Sequence, residues 1–321
     1  MVKINSNKLA FIFPGQGSQT VGMLKELADQ YSSVKQTFAI ASQVLGYDLW
    51  QLTQTGPAEK LNQTEITQPA LLTASYAIWQ IWCESGAPQP SVVAGHSLGE
   101  YTALVCAGVI DFPTGVDLVA KRGYYMQKVM ADKGSMAAII GLNESQVKEI
   151  CQQAAYGEVL APANYNSPEQ IVIAGNQGAI QRAIELANKA GARLAVQLAV
   201  SVPCHCSLMK GAAGQLTQAL DQATLKAPTI PLVHNVDAGI YSDPLAIHEA
   251  LVKQLYSPVR WVEIIEKIVT MGITTIIECG PGKVLTGLNK RIDRSISAFA
   301  INDPVNLEKA LVELQNLCSL D

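Results

Sequence analysis

Nowhere in the chain do about 18 uninterrupted apolar residues occur, the length a membrane-spanning helix needs, although hydrophobic residues fill 49% of its 321 positions. The first apolar stretch, Leu9 to Phe13, is too short for the core of a secretory signal. These absences predict a cytoplasmic protein with no membrane partner. Charge is sparse as well, at 16% of residues, and 23 Lys and Arg against 27 Asp and Glu leave a net charge of −4. No broad basic field exists to draw nucleic acid, although a local basic mouth could still receive a phosphorylated ligand. Seven cysteines, odd in number and scattered mostly through apolar runs, read as reduced thiols rather than a disulfide framework. Their one cluster, Cys204-His205-Cys206, has no second pair of ligands at compatible spacing, so no metal is expected.

What is present is alternation. Apolar runs suited to buried strands (Leu9 to Phe13, Ser91 to Ala94, Leu232 to His234, Thr274 to Glu278) each lead into a Gly, Pro or Asn turn signal, with helix-like segments between them. That order predicts an α/β fold with a mainly parallel sheet, whose strand ends hold the ligand. The middle of the chain differs. Strands over 135–141, 159–163, 171–174 and 193–197, with helices over 144–154 and 176–190, follow a β-α-β-β-α-β order, the signature of a ferredoxin-like unit. We expect a small subdomain over 132–201, inserted into a large catalytic domain made of 1–131 and 202–321. The cleft between them is the natural pocket.

The strongest chemical signal is Gly95-His96-Ser97-Leu98-Gly99, between a strand and the helix-forming run Glu100 to Ala107. A strand, G-x-S-x-G and a helix in succession form a nucleophile elbow, a tight turn that needs small flanking residues and points the serine hydroxyl away from the sheet. It sets Ser97 at a helix N-terminus, where the Leu98 N–H can meet a developing oxyanion. A serine nucleophile needs a base, and histidine is scarce, with only His96, His205, His234 and His248 available. His96 adjoins the nucleophile and should point elsewhere, and His248 sits in a polar helical segment. His205 and His234 remain. Position favours His205, which follows a proline-ended apolar run and precedes an amphipathic helix beside the expected domain boundary.

Arg122 falls on the apolar stripe Val119, Arg122, Met126, Val129 of a helix over 114–130. A guanidinium on an inward face needs an anion, either an internal carboxylate or the carboxylate of a substrate. Two glycine-rich loops, Phe13 to Gln19 and Gly280 to Lys283, match neither the dinucleotide fingerprint nor the P-loop. They offer backbone that a ligand can approach closely, with Gln16 a candidate oxyanion donor.

Seven segments in order, FPGQGSQ (13–19), AGHSLGEY (94–101), KRGYYMQ (121–127), ANYNSPEQIVIAGN (163–176), SVPCHCSLM (201–209), QLYSPVRW (254–261) and ECGPGKVLTGL (278–288), resemble the malonyl-CoA:acyl carrier protein transacylases of bacterial type II fatty acid synthesis. The likeness runs from about Phe11 to Ile292. It implies an α/β-hydrolase-like parallel-sheet core with the inserted ferredoxin-like subdomain. It also implies Ser97 as nucleophile, His205 as base, the amides of Gln16 and Leu98 as oxyanion hole, and Arg122 as the holder of the malonyl carboxylate. Gln254 would orient His205 through its main-chain carbonyl, with its side chain near the substrate, and Asn164 would lie beside the bound acyl group. Malonyl-CoA and holo acyl carrier protein are the implied partners, with no cofactor beyond the coenzyme A thioester itself. Cys204, where the family more usually has serine or another small residue, is a modest departure that could make the site sensitive to thiol reagents.

Two other readings compete. A free-standing acyltransferase of a polyketide synthase would carry the same residues. A serine esterase of the α/β-hydrolase type would place its histidine near the C-terminal end, after an Asp or Glu, and would have no use for a buried arginine.

Overall fold

In the computed structural model, which describes residues 8–130, 134–200 and 202–318, the strands are β1 (Leu9–Phe13), β2 (Val92–Gly95), β3 (Gly134–Ile140), β4 (Leu160–Ser167), β5 (Gln170–Asn176), β6 (Leu194–Gln197), β7 (Leu232–Val233), β8 (Thr275–Glu278) and β9 (Ser297–Ala300). They form two sheets. The larger is wholly parallel, in the order β7-β2-β1-β8-β9. Its centre, β1, is buried along its whole length, as a parallel strand covered on both faces must be. Successive side chains point to opposite faces: Leu9, Phe11 and Phe13 join one core cluster, Ala10 and Ile12 the other. On the first face the Phe11 ring meets Trp79 and Trp82 of the helix Thr64–Glu84 edge-on, at centroid distances of 5.4 and 5.0 Å. Each such buried side chain contributes about 1.5–3 kcal/mol.

The smaller sheet is antiparallel, in the order β4-β5-β3-β6. This is the ferredoxin-like arrangement that the strand and helix order predicts. Period two again divides its faces: Ala137, Ile139, Ile171 and Ile173 pack with residues of the helices Glu144–Ala155 and Gln177–Lys189, while Met136, Ala138, Val172 and Ala174 form a cluster on the other side. Main-chain bonds from Tyr165 N–H to Val259 O and from Val259 N–H to Ala163 O, both 2.9 Å, tie β4 to the larger unit. The expected junctions of the insert, at 131–132 and 201–202, include residues 131, 132 and 201, which lie outside the described residues.

Several boundaries differ from the sequence-based expectation. β2 extends to Gly95, and the helix expected from Thr114 begins at Phe112. The amphipathic helix expected after His205 opens with a tighter 3-10 turn, Ser207–Met209, before Lys210–Asp221. β9 was not anticipated. Its Ser-Ala-Phe-Ala sequence is partly exposed at the sheet edge and lacks the apolar run of its neighbours.

Candidate active site

The elbow is built by close approach. A Cβ on Gly95 would stand 1.9 Å from the carbonyl carbon of Gly99, and one on Gly99 would stand 2.0 Å from Phe13 O. Both positions therefore exclude any side chain. Between them Ser97 takes φ 51° and ψ −106°, immediately before the helix Leu98–Cys106. A non-glycine residue at positive φ carries about 1–3 kcal/mol of strain, which surrounding contacts must hold in place. Asn235 does this from the end of β7. Its Oδ1 accepts from Ser97 N–H at 2.7 Å and its Nδ2 donates to Gly95 O at 2.7 Å.

His205 is the histidine brought to Ser97. Its Nε2 lies 2.7 Å from Ser97 Oγ, and its Nδ1–H donates to the main-chain oxygen of Gln254 at 2.8 Å. Because a carbonyl can only accept, that bond fixes the proton on Nδ1 and leaves the Nε2 lone pair facing the serine. His205 also has a positive φ, 62°, and its main-chain N–H donates to Leu255 O at 2.9 Å. Burial, reinforced by the charge of Arg122, pushes its pKa down to about 3, so the ring is a neutral base across the physiological range.

Arg122 is 1% exposed. It donates to Gln68 Oε1 at 2.7 Å, to Gln254 Oε1 at 2.9 Å and to Ser97 Oγ at 3.2 Å, while its Nε has no hydrogen-bond partner. Among the described residues no carboxylate pairs with it. Of the two anions the sequence allowed, the internal one is not in contact. The guanidinium is held by neutral amide oxygens beside Ser97 Oγ, with donor capacity to spare.

Gln254 is fully buried and links these parts through three atoms: its main-chain oxygen to His205, its Oε1 to Arg122 and its Nε2 to Ser97 O at 2.9 Å. Gln16, Ser97, Leu98, Arg122, Asn164 and His205 all line one cleft of about 630 Å³, whose opposite wall is the Met136, Ala138 and Val172 face of the small sheet. Leu98 N–H, first in its helix, has no intrahelical acceptor. The exposed side chain of Gln16 donates to Thr64 Oγ1 at 3.4 Å. Asn164 is 6% exposed on β4.

The other three histidines lie elsewhere. His96 is half-buried, its Nε2 2.7 Å from Asn166 Oδ1, and loss of hydration lowers its pKa. His248 meets Asp221 at 3.1 Å on the surface. His234 pairs with the carboxylate of Glu100 beneath the elbow, at 2.7 Å. Cys204 lines the cleft, but burial pushes its thiol up to about 11, which weakens the expectation of thiol sensitivity. Sequence reasoning missed Gln68, Glu100 and Asn235. Gln68 could have been flagged as a polar residue within the apolar helical run Thr64 to Trp82. No local signal marks the other two.

A strained elbow serine, a buried neutral histidine and a cleft-facing guanidinium, set at the strand ends of a parallel sheet, define an acyl-transfer catalyst. The sequence profile described as "Acyl transferase domain" matches residues 10–302, and the chain belongs to that family. The malonyl CoA-acyl carrier protein transacylase of Salmonella typhimurium is 53% identical over 307 residues, 95% of this chain and 99% of that protein. A crystal structure of an acyl carrier protein S-malonyltransferase from Vibrio cholerae is 55% identical and superposes with a TM-score of 0.92 over 94% of this chain and 99% of the other. A malonyl-transacylase in complex with a holo type II PKS acyl-carrier protein is 52% identical, with a TM-score of 0.94 over 95% and 99% of the two chains.

Proposed function

We propose that this protein transfers the malonyl group of malonyl-CoA to the phosphopantetheine thiol of holo acyl carrier protein, supplying fatty acid synthesis through a malonyl-Ser97 intermediate. The observation that carries the reading is the placement of Arg122. Among the described residues it meets no anion, and this buried cation lies 3.2 Å from Ser97 Oγ. A malonyl ester on Ser97 puts its free carboxylate one methylene beyond the acyl carbon, within reach of that guanidinium.

The reaction follows from the hydrogen bonds. His205 Nε2 takes the proton of Ser97 Oγ as the oxygen attacks the thioester carbonyl, and the imidazolium is stabilised by Gln254 O at Nδ1. The amides of Leu98 and Gln16 receive the oxyanion. Coenzyme A leaves with the proton from His205. In the second half His205 deprotonates the carrier's thiol, which attacks the malonyl ester and releases Ser97 in a ping-pong sequence. Asn164 flanks the acyl group. No cofactor is required, because the thioester supplies the activated acyl group.

The esterase reading loses support because a main-chain oxygen, not a carboxylate, orients His205. The similarity to a transacylase solved with a polyketide carrier favours a second reading, in which the carrier belongs to a polyketide synthase and the chemistry is unchanged. Among the described residues no helix is long and apolar enough to cross a membrane, in keeping with a cytoplasmic enzyme. The test is intact mass after incubation with malonyl-CoA or acetyl-CoA. A malonyl adduct absent in Ser97→Ala, strongly reduced in Arg122→Gln and discharged by holo carrier protein is expected. An Arg122→Gln enzyme that still prefers malonyl over acetyl would remove the carboxylate role.

A further inference from the structure

Among the described residues, three Asp, Glu, Lys or Arg side chains are buried: Glu100, Arg122 and Glu278. Glu278 is accounted for locally, since it accepts from the main-chain N–H groups of Leu285 and Thr286 at the start of a helix. Glu100 and Arg122 are not. They do not touch each other, yet both bond to one side chain: Gln254 Nε2 donates to Glu100 Oε2 at 2.6 Å, and Gln254 Oε1 accepts from Arg122 at 2.9 Å. Each charge costs several kcal/mol to bury alone.

We propose that Glu100 is the counter-charge of Arg122, held one amide away so that the guanidinium is balanced without being occupied, and that it thereby tunes the enzyme's grip on the substrate carboxylate. This rests on the reading of Arg122 given above. Glu100 has the bonding pattern of a carboxylate. Oε1 accepts from His234 Nδ1, and Oε2 accepts from Gln254 Nε2 and, at 3.3 Å, from Asn235 N–H. His234 meets it through Nδ1 alone, and the other ring nitrogen, Nε2, is buried without a partner.

The interposed amide suits both charges. Its N–H end faces the carboxylate and its oxygen faces the guanidinium, so a flip would set donor against donor and acceptor against acceptor. A carboxylate in direct contact would instead form a bidentate pair and close the site to substrate. With no anion nearby, Arg122 would hold a malonyl carboxylate more tightly in the ground state, which lowers KM without helping turnover.

Glu100→Gln isolates the charge. The new amide keeps the shape and can still accept from Gln254. His234 can move its proton to Nε2, which is without a partner in either tautomer, and accept the new N–H at Nδ1. The expected result is a KM for malonyl-CoA lowered about tenfold, from the loss of a charge one amide away at an effective dielectric of about 20, with little change for acetyl-CoA. The second readout is the urea unfolding midpoint in a double-mutant cycle. Glu100→Gln should lower the midpoint in the wild-type background and leave it unchanged or raise it in Arg122→Gln, where Glu100 is the unbalanced charge. Equal shifts in both backgrounds with an unchanged malonyl KM, or misfolding in both, would make Glu100 merely structural and overturn the proposal. If Arg122→Gln keeps the malonyl preference, the carboxylate clamp itself fails, whatever Glu100→Gln does.

Discussion

Two buried histidines sit within a few residues of the elbow serine's contacts, and they are oriented in opposite ways. His234 Nδ1 is paired with a carboxylate, Glu100, at 2.7 Å, as a triad histidine would be, yet its Nε2 faces no nucleophile. His205 Nδ1 has only the main-chain oxygen of Gln254, and its Nε2 lies 2.7 Å from Ser97 Oγ. The carboxylate stands on the histidine that does not meet Ser97. On the proposed reading the guanidinium gives the reason: a carboxylate paired with Arg122 would fill the place meant for the substrate's carboxylate. Neutral oxygens, from Gln68, Gln254 and the main chain, orient both His205 and Arg122 without competing for them.

The largest effect should separate the two histidines directly. His205→Ala is expected to slow malonyl transfer by about a hundred- to ten-thousandfold, the usual worth of a general base. His234→Asn keeps a donor for Glu100 and should act mainly on stability, by about 1–3 kcal/mol through an imperfectly satisfied buried group, with a rate change of less than about tenfold. Comparable rate losses in a stopped-flow acylation assay, with both proteins folded by circular dichroism, would break the distinction.

A smaller effect concerns pH. The His205 pKa of about 3 reflects burial first and Arg122 second, so the acid limb of Ser97 acylation by acetyl-CoA, which has no carboxylate to titrate, should fall far below pH 6.5. Arg122→Gln removes the second cause only and should move the limb upward part of the way. The sign for stability follows from the same shift. An unfolded histidine takes a proton near 6.5 while the folded one resists it, so this residue's contribution is present above that pH and is lost as pH falls from about 6.5 toward 3. A limb near 6.5 in both proteins would show that water reaches His205 freely.

Much of this was legible in the residues. G-x-S-x-G between an apolar strand and a helix announced the elbow, because only glycine fits at Gly95 and Gly99. Arg122 announced itself as a charge on an apolar stripe. Position alone favours His205 over His234, and His205 Nε2 lies 2.7 Å from Ser97 Oγ. The supporting network was not legible. Glu100 meets His234 across 134 positions and Gln254 across 154, and no local pattern encodes contacts that the tertiary fold creates. β9 escaped for a different reason: an edge strand half open to water carries no continuous apolar run.

The smallest predicted effect asks whether a side chain next to the base shares its reactivity. Cys204 precedes His205 and lines the same cleft, with its Sγ donating to Val202 O at 3.4 Å. Arg122 draws its thiol pKa down, but burial outweighs that charge and holds it at about 11. The thiolate is the reactive form, so a thiol held at about 11 rather than the ordinary 9.0 presents about a hundredfold less of it at neutral pH. Iodoacetamide at pH 7.5, followed by peptide mass mapping, should therefore modify exposed Cys83 well before Cys204. Prior acylation of Ser97 should change the Cys204 rate by no more than a few fold. Labelling of Cys204 ahead of Cys83, with protection by malonyl-CoA, would mean that the guanidinium outweighs burial at the cleft wall.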